Sequence, residues 1–201
     1  MDVRPAGVVQ DPSAAATAAA SDDAERALIE RARARETSAF RELVGRHHDR
    51  AYGLALRIVR SPPDAEEVAQ DAFVRAWLAL PRYRGEARFG TWLHRIVARC
   101  AIDRARLLRT RRQRESALDE APEPAARPTE GGERTGEASM TRALEALTDI
   151  QRAVVTMFYY EDRSVQQVAI ALGLPDGTVK THLSRARAAM RKALASARGG
   201  A

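Results

Sequence analysis

Apolar residues recur every three or four positions along most of this 201-residue chain, and the pattern divides it into helices. Leu28 and Ile29 anchor a first helix from near Ala24, with Asp22 placed to cap it. Phe40, Leu43, Val44, Tyr52, Leu54, Ala55, Ile58 and Val59 mark a longer helix over 38–59. Ser61-Pro62-Pro63 interrupts it, and Asp64 opens a third helix that runs to about Leu80, where Pro81 stops it. After a polar loop containing Gly85, a basic helix follows over 89–112. Periodic bulk returns only in four short helices over 141–147, 149–160, 164–172 and 176–197. No segment alternates apolar and polar residues with β-branched enrichment, so the predicted fold class is all-α.

The gaps in this pattern set the expected organisation. Residues 1–22 are Ala-, Pro- and Ser-rich without large periodic residues, and are expected to be a disordered tail. Residues 113–139 contain Pro122, Pro124, Pro128, Gly131, Gly132 and Gly136 among seven acids, which predicts a flexible acidic linker. Two small helical domains, 23–112 and 140–197, would lie on either side of it.

Charge sharpens the picture. The formal net charge is +6, but its distribution says more than its total. Between Tyr83 and Arg114 lie Arg84, Arg88, Arg95, Arg99, Arg104, Arg106, Arg109, Arg111 and Arg112, opposed only by Glu86 and Asp103. Tyr83, Phe89 and Trp92 stand at the front of that run. Arginines bind a phosphate backbone and aromatic rings stack on unpaired bases, so the combination points to nucleic acid. Trp77 and Trp92 are expected to be core, while the arginines from Arg104 onward are expected to hold the backbone.

The C-terminal pattern specifies this further. Ser164-Val165-Gln166-Gln167 fits a capping box, Gly173 sits at a helix stop, and Leu174-Pro175-Asp176-Gly177 makes a turn into a second helix. That layout is a helix-turn-helix. At ~100° per residue, Val179, Leu183, Ala186, Met190 and Leu194 share one side of the second helix. Lys180, Thr181, Ser184, Arg185 and Arg191 share the other, where a recognition helix meets base edges. Arg187 and Lys192 would meet phosphates or flank the site. The segment TVKTHLSR also resembles the DNA-binding helix of LuxR-type regulators, so this half alone leaves two classes open.

The N-terminal half separates them. Over 64–80 the core side holds Ala65, Ala69, Ala72, Phe73, Ala76 and Leu80. The opposite side interleaves Glu67, Gln70 and Asp71 with Val74 and Leu78, and apolar residues on an acidic outer stripe ask for a partner. The blocks DAEEVAQDAFVRAW, YRGEARFGTWLHRIVARCAIDRAR and VQQVAIALGLPDGTVKTHLSRARAAM, in this order and spacing, resemble the extracytoplasmic-function (ECF) sigma factors. These are the smallest sigma-70-type initiation factors of bacteria, and the resemblance covers about residues 24–197. It departs at the opening of the C-terminal domain, where Leu147-Thr148 stands for the usual Leu-Pro, and at His182, where arginine is common.

The resemblance implies roles. Residues 23–112 would form sigma region 2 and 140–197 sigma region 4. Glu67, Gln70, Asp71, Val74 and Leu78 would bind the β′ clamp helices of core RNA polymerase, with the β subunit a further contact. Arg75, Ala79, Arg82, Tyr83, Arg84, Arg88, Arg95 and Arg99 would read and open the minus-ten element of promoter DNA. Within that set the loop over 80–88 would hold a flipped base, with Tyr83 the aromatic contact and Arg99 at the pocket edge. Thr178, Lys180, Thr181, Ser184, Arg185 and Arg187 would meet the minus-thirty-five element. An anti-sigma factor is a further partner the resemblance implies.

Other classes find little support in the residues. Cys100 is the only cysteine, which excludes an intrachain disulfide and fits a reducing cytoplasm, and its apolar flanks predict a buried thiol. His47, His48, His94 and His182 form no metal-ligand spacing, and His47-His48 in its polar stretch is expected at the surface. No Gly-rich phosphate loop or nucleophile motif is present, so neither an enzyme nor a cofactor is expected. No apolar run reaches bilayer length, so membrane insertion is not expected either.

Overall fold

The computed structural model describes residues 12–118 and 143–198, and every described element is helical or a turn. The N-terminal half comprises α1 (Pro12–Arg33), α2 (Thr37–Val59), α3 (Pro62–Ala79), a 3-10 turn (Leu80–Arg82) and α4 (Phe89–Leu118). The C-terminal half comprises α5 (Asp149–Val155), a π-helical turn (Thr156–Tyr160), α6 (Val165–Leu172) and α7 (Asp176–Arg198). The all-α expectation holds. Most of the expected linker, residues 119–139, lies outside the described residues, as do 140–142.

The first helix starts earlier than its apolar anchors indicate. Over 12–22, expected as a disordered tail, the backbone is helical. Alanine has the highest intrinsic helix propensity and proline suits a first helical position, so helix here needs no apolar stripe. Asp22 is therefore not a cap; its carboxylate instead lies 3.3 Å from the Arg88 guanidinium. Residues 113–118, assigned to the linker, continue α4.

Short connections fold α1 to α4 into a bundle. Arg60 ends α2 in a left-handed conformation (φ 63°), and its N–H donates to the Leu56 carbonyl. Ser61, Pro62 and Pro63 then start α3, using proline where a missing N–H is harmless. Leu43, Leu54, Ile58, Leu80, Phe89, Leu93 and Val97 are fully buried in the centre. The side of α3 facing them is Ala65, Ala69, Ala72 and Ala76, all without exposure. Phe73 is buried beside them and Trp77 packs at the edge against Phe40.

His47 departs from expectation. It is buried, its ring against Phe89 and its Nε2 3.1 Å from Glu25 on α1. Burial lowers its pKa, and the Glu25 carboxylate only partly opposes that. Its neighbours in sequence are polar, but it falls one helical turn from buried Leu43 and Ala51, on the core side.

Arg104 ties α4 to the start of α3, 2.6 Å from both Asp64 and Glu67. Burial alone would raise the Asp64 carboxyl, but hydrogen bonds from Ser61 and Arg104 and the Arg104 charge outweigh it and hold the pKa below its ordinary value. Stability from this group is therefore present above the ordinary carboxylate range, near pH ~4, and lost as pH falls through the lowered value. At neutral pH Asp64→Asn is expected to lose about 1 kcal/mol in urea unfolding. The deficit should close as the pH falls toward 3, where wild type loses the same contribution.

In the C-terminal half both short helices open on reciprocal caps. Thr148 accepts from Gln151 N–H at 3.4 Å, while Gln151 Oε1 accepts from Thr148 N–H at 3.0 Å. Ser164 and Gln167 repeat the arrangement at 3.2 and 2.9 Å. Gly173 stops α6 at φ 67°, a conformation that strains any residue with a Cβ. Val154, Met157, Val168, Val179 and Ala186 are fully buried between these helices. The two helical domains pack against each other. α4 packs on α5 and α6, α2 packs on α5 and the π-helical turn, and the buried residues form one continuous cluster.

Candidate functional site

Three faces carry the residues singled out by sequence. The first is the outer side of α3. Its inward alanines place Glu67, Gln70, Asp71, Val74 and Leu78 on the surface, with Val74 58% and Leu78 65% exposed. The polar members are tied locally: Glu67 to Arg104, Gln70 to Glu66 at 3.1 Å, and Asp71 to Arg75 at 3.2 Å. The face is thus an apolar ridge flanked by positioned carboxylates.

The second face is the loop after α3 and the front of α4. Pro81 sits inside the 3-10 turn, and Gly85 takes φ 74°, which turns the loop back toward α4. Tyr83 does not stand out as a free aromatic. It is 9% exposed, its ring lies against Phe89 and Trp92, and its hydroxyl donates to the Ala87 carbonyl. Burial, helped by the Glu25 charge, raises the pKa of that hydroxyl. Three rings therefore form one cluster that fixes the loop, where the sequence suggested a ring offered to a base. Above it a cleft of about 330 Å³ opens between α1 and the loop, lined by Glu25, Arg26, Tyr83, Arg84, Arg88 and Phe89. Arg84 and Arg88 are exposed there, Arg82 is exposed on the preceding turn, and Ala79 is half-buried.

Arg99 is not at that cleft. It lies ten residues beyond Phe89 on α4, about 15 Å along the axis, and its Nε donates to the Ala171 carbonyl of α6 at 3.0 Å. Arg95 is half-buried and Arg75 pairs with Asp71. Of the later arginines expected to hold a DNA backbone, Arg104 is the α3–α4 tie and Arg109 lies 3.1 Å from Asp149. Trp92 is half-buried against the core, as expected, and Cys100 is buried, which raises its thiol pKa.

The third face is on α7. Val179, Leu183 and Ala186 are buried against α5 and α6, and Met190 and Leu194 are half-buried. Lys180, Thr181, Ser184 and Arg185 are exposed together, with Thr178 half-buried at the start. The hydroxyl of exposed Thr181 donates to the Gly177 carbonyl at 2.9 Å. Arg187 is held aside, its Nε 2.7 Å from the Tyr159 hydroxyl and its guanidinium over that ring. The division read from helical periodicity is the one observed.

Sequence reasoning missed a group between the halves: Thr91 and His94 on α4, Glu161 and Arg163 before α6. His94 is 3% exposed and 2.9 Å from Glu161. These residues are about 70 positions apart, so no local pattern could pair them. Among the described residues no group of three or more His, Cys, Asp or Glu is placed to hold a metal, and no helix is long and apolar enough to cross a membrane. What the three faces offer chemically is docking: an apolar ridge, a cleft rimmed by arginines, and a basic helix.

Comparisons with known proteins agree with this inventory. Residues 43–113 match the family described as Sigma-70 region 2, and residues 137–190 match Sigma-70, region 4. The chain is 31% identical over 185 residues to the RNA polymerase sigma-H factor of Pseudomonas aeruginosa, covering 87% of this chain and 95% of that one. It is 34% identical to the ECF RNA polymerase sigma factor SigM of Mycobacterium tuberculosis, covering 78% and 77%. Among solved structures it is similar to CnrH in complex with the cytosolic domain of CnrY, at 25% identity and a TM-score of 0.60, covering 87% and 99%. Sigma factor RpoE of Bartonella quintana, solved with the anti-sigma factor NepR, shares the fold at 22% identity and a TM-score of 0.59, covering 77% and 96%.

Proposed function

Because the chain belongs to the extracytoplasmic-function sigma factors and is a promoter-recognising sigma factor of RNA polymerase, we propose a division of labour among its three faces. The outer side of α3 docks on core polymerase through Val74 and Leu78, with Glu67, Gln70 and Asp71 setting register against a basic partner. The observation that carries this is the exposure of two large apolar residues between carboxylates on an otherwise packed helix. Such a ridge is depleted from free surfaces and typical of interface centres.

The loop and front of α4 capture the minus-ten element. The cleft rimmed by Arg84 and Arg88 receives an unpaired base and its phosphates, and Arg82, Arg75, Ala79 and Arg95 flank it. Tyr83 serves as the packed floor of that cleft, held by Phe89 and Trp92. Arg99, further along α4, reaches DNA only when its bond to Ala171 is released. The exposed side of α7 reads the minus-thirty-five element in the major groove, with Lys180, Thr181, Ser184 and Arg185 at base edges and Thr178 and Arg187 at the margin. The chain works by binding alone, makes and breaks no bonds, and acts where the polymerase is, in the cytoplasm at the nucleoid. Its relatives CnrH and RpoE were solved with partner proteins, which supports an anti-sigma factor as a further partner here.

Transcription in vitro with core polymerase on genomic DNA fragments tests the reading. Discrete promoter-specific transcripts that require this chain are expected, and their absence from every fragment would count against it. On a promoter found in this way, Arg185→Ala is expected to lower affinity by about 1–3 kcal/mol and to relax preference at one base pair of the upstream element. Equal loss on all sequences would make Arg185 a phosphate contact instead.

A further inference from the structure

The cleft above Tyr83 carries more negative charge than a phosphate site requires. Helix α1 contributes Asp22, Glu25 and Glu30 to its wall, facing the loop arginines Arg84 and Arg88. Carboxylates beside a path for DNA phosphates are unfavourable unless each has a partner or a task. Two of them have partners: Asp22 lies 3.3 Å from Arg88, and Glu30 lies 2.9 Å from Arg33. Glu25 pairs with no arginine among the described residues; its one ionic partner there is His47.

Glu25 is held from behind. Its Oε1 lies 3.1 Å from Nε2 of buried His47, and because a carboxylate only accepts, the imidazole donates there. His47 is itself fixed, with the Phe89 ring at 5.1 Å and Gly90 so close that an added Cβ would come within 3.4 Å of the imidazole. Burial lowers the pKa of His47, so at neutral pH its single N–H is committed to Glu25. The Glu25 side chain is 26% exposed, which leaves its second oxygen for whatever enters the cleft that it lines. Its charge also helps raise the pKa of the Tyr83 hydroxyl, which sets the carboxylate near the cleft floor.

A fixed acceptor among guanidinium donors discriminates between bases. On the pairing edge, adenine and cytosine show an amino group beside a bare ring nitrogen, a donor next to an acceptor. Thymine and guanine show a carbonyl beside a ring N–H, so the carbonyl oxygen would meet the carboxylate. We propose that Glu25 selects the base admitted to this cleft: an adenine or a cytosine, whose exocyclic amino group donates to the second Glu25 oxygen, with the rim guanidiniums left for the ring nitrogen and the flanking phosphates. The proposal rests on the reading of the cleft as the site of an unpaired minus-ten base. It gives α1 a part in promoter choice, where the arginines alone would hold any sequence.

The test uses the full chain with core polymerase on a promoter found by transcription, carrying a preformed bubble over the minus-ten element. Each non-template position is made A, C, G and T in turn. At one position wild type is expected to bind about tenfold tighter with A or C than with G or T. Unsubstituted purine, or the pyrimidinone lacking the amino group, should lose the same factor there. Glu25→Gln keeps an oxygen for His47 and offers the cleft an amide N–H instead. It is expected to bind bases with and without the amino group within about twofold, a non-additivity that marks direct contact rather than support of the fold. The base analogues act on wild-type protein, so folding of the variant does not limit the test. Wild type indifferent to amino removal at every position, or an amino preference that survives in Glu25→Gln, would overturn the proposal. Arg84→Ala separates the two readings: it is expected to weaken all four bases alike. No effect of Arg84→Ala would place the DNA elsewhere and defeat the cleft reading together with this one, whereas a uniform loss beside a surviving amino preference in Glu25→Gln would defeat the role of Glu25 alone.

Discussion

Val74→Glu with Leu78→Glu is expected to lower affinity for core RNA polymerase by roughly a hundredfold or more while leaving thermal stability nearly unchanged. Both side chains are more than half exposed in the free chain, so replacing them removes little buried area. Residues that act as hot spots at the centre of an interface each cost ~2 kcal/mol or more when lost, about a factor of 30. Placing carboxylates there also adds like charge beside Glu67 and Asp71. Titration of labelled chain with core polymerase gives the affinity, and a melting curve gives the stability. Unchanged affinity would move the docking face away from α3, and a large fall in melting temperature would mean that the stripe is covered within the chain.

Phe89→Ala is expected to have the opposite signature, with stability collapsing first. Phe89 is 1% exposed and meets His47, Tyr83 and Trp92 at ring-centroid distances of 5.1, 6.1 and 5.6 Å. Truncating a buried phenylalanine typically loses about 3–5 kcal/mol, through lost transfer energy and the cavity left behind. For a chain of this length that is a drop of roughly 10 °C in melting temperature. Phe89→Leu keeps most of the volume and should lose about 1–1.5 kcal/mol. Because the same ring anchors Tyr83, the loop above it should loosen in the alanine variant, seen as faster amide exchange at Gly85 and Glu86. Exchange unchanged at those amides would show that the loop is held by the Tyr83–Ala87 hydrogen bond alone.

Much of this was legible in the sequence wherever one face of a helix repeats. The buried and exposed sides of α3 and α7 follow the 3.6-residue period, and Ser164 and Gln167 form the expected box. The Thr148–Gln151 box is equally readable, as Thr-x-x-Gln. Other features have no local signature. The Ala-rich start of α1 is helical through propensity, which leaves no apolar stripe to detect. His47 looks polar by its neighbours and is buried by its phase. Tyr83 looked available because a loop residue carries no period to say which way it faces. Arg104 meets Asp64 across 40 positions and Arg109 meets Asp149 across another 40, so their charges were read as free when the fold pairs them.

The alanine side of α3 bears on what this helix tolerates over evolutionary time. With Ala65, Ala69, Ala72 and Ala76 buried without any exposure beside the larger Val68 and Phe73, the small side chains help set how far α3 stands from its neighbours. A single added methyl group on that seam would lift the helix and carry Val74 and Leu78 outward with it. The ridge proposed to dock on polymerase is therefore held in place from behind, and its register is inherited through buried residues on the opposite side of the helix.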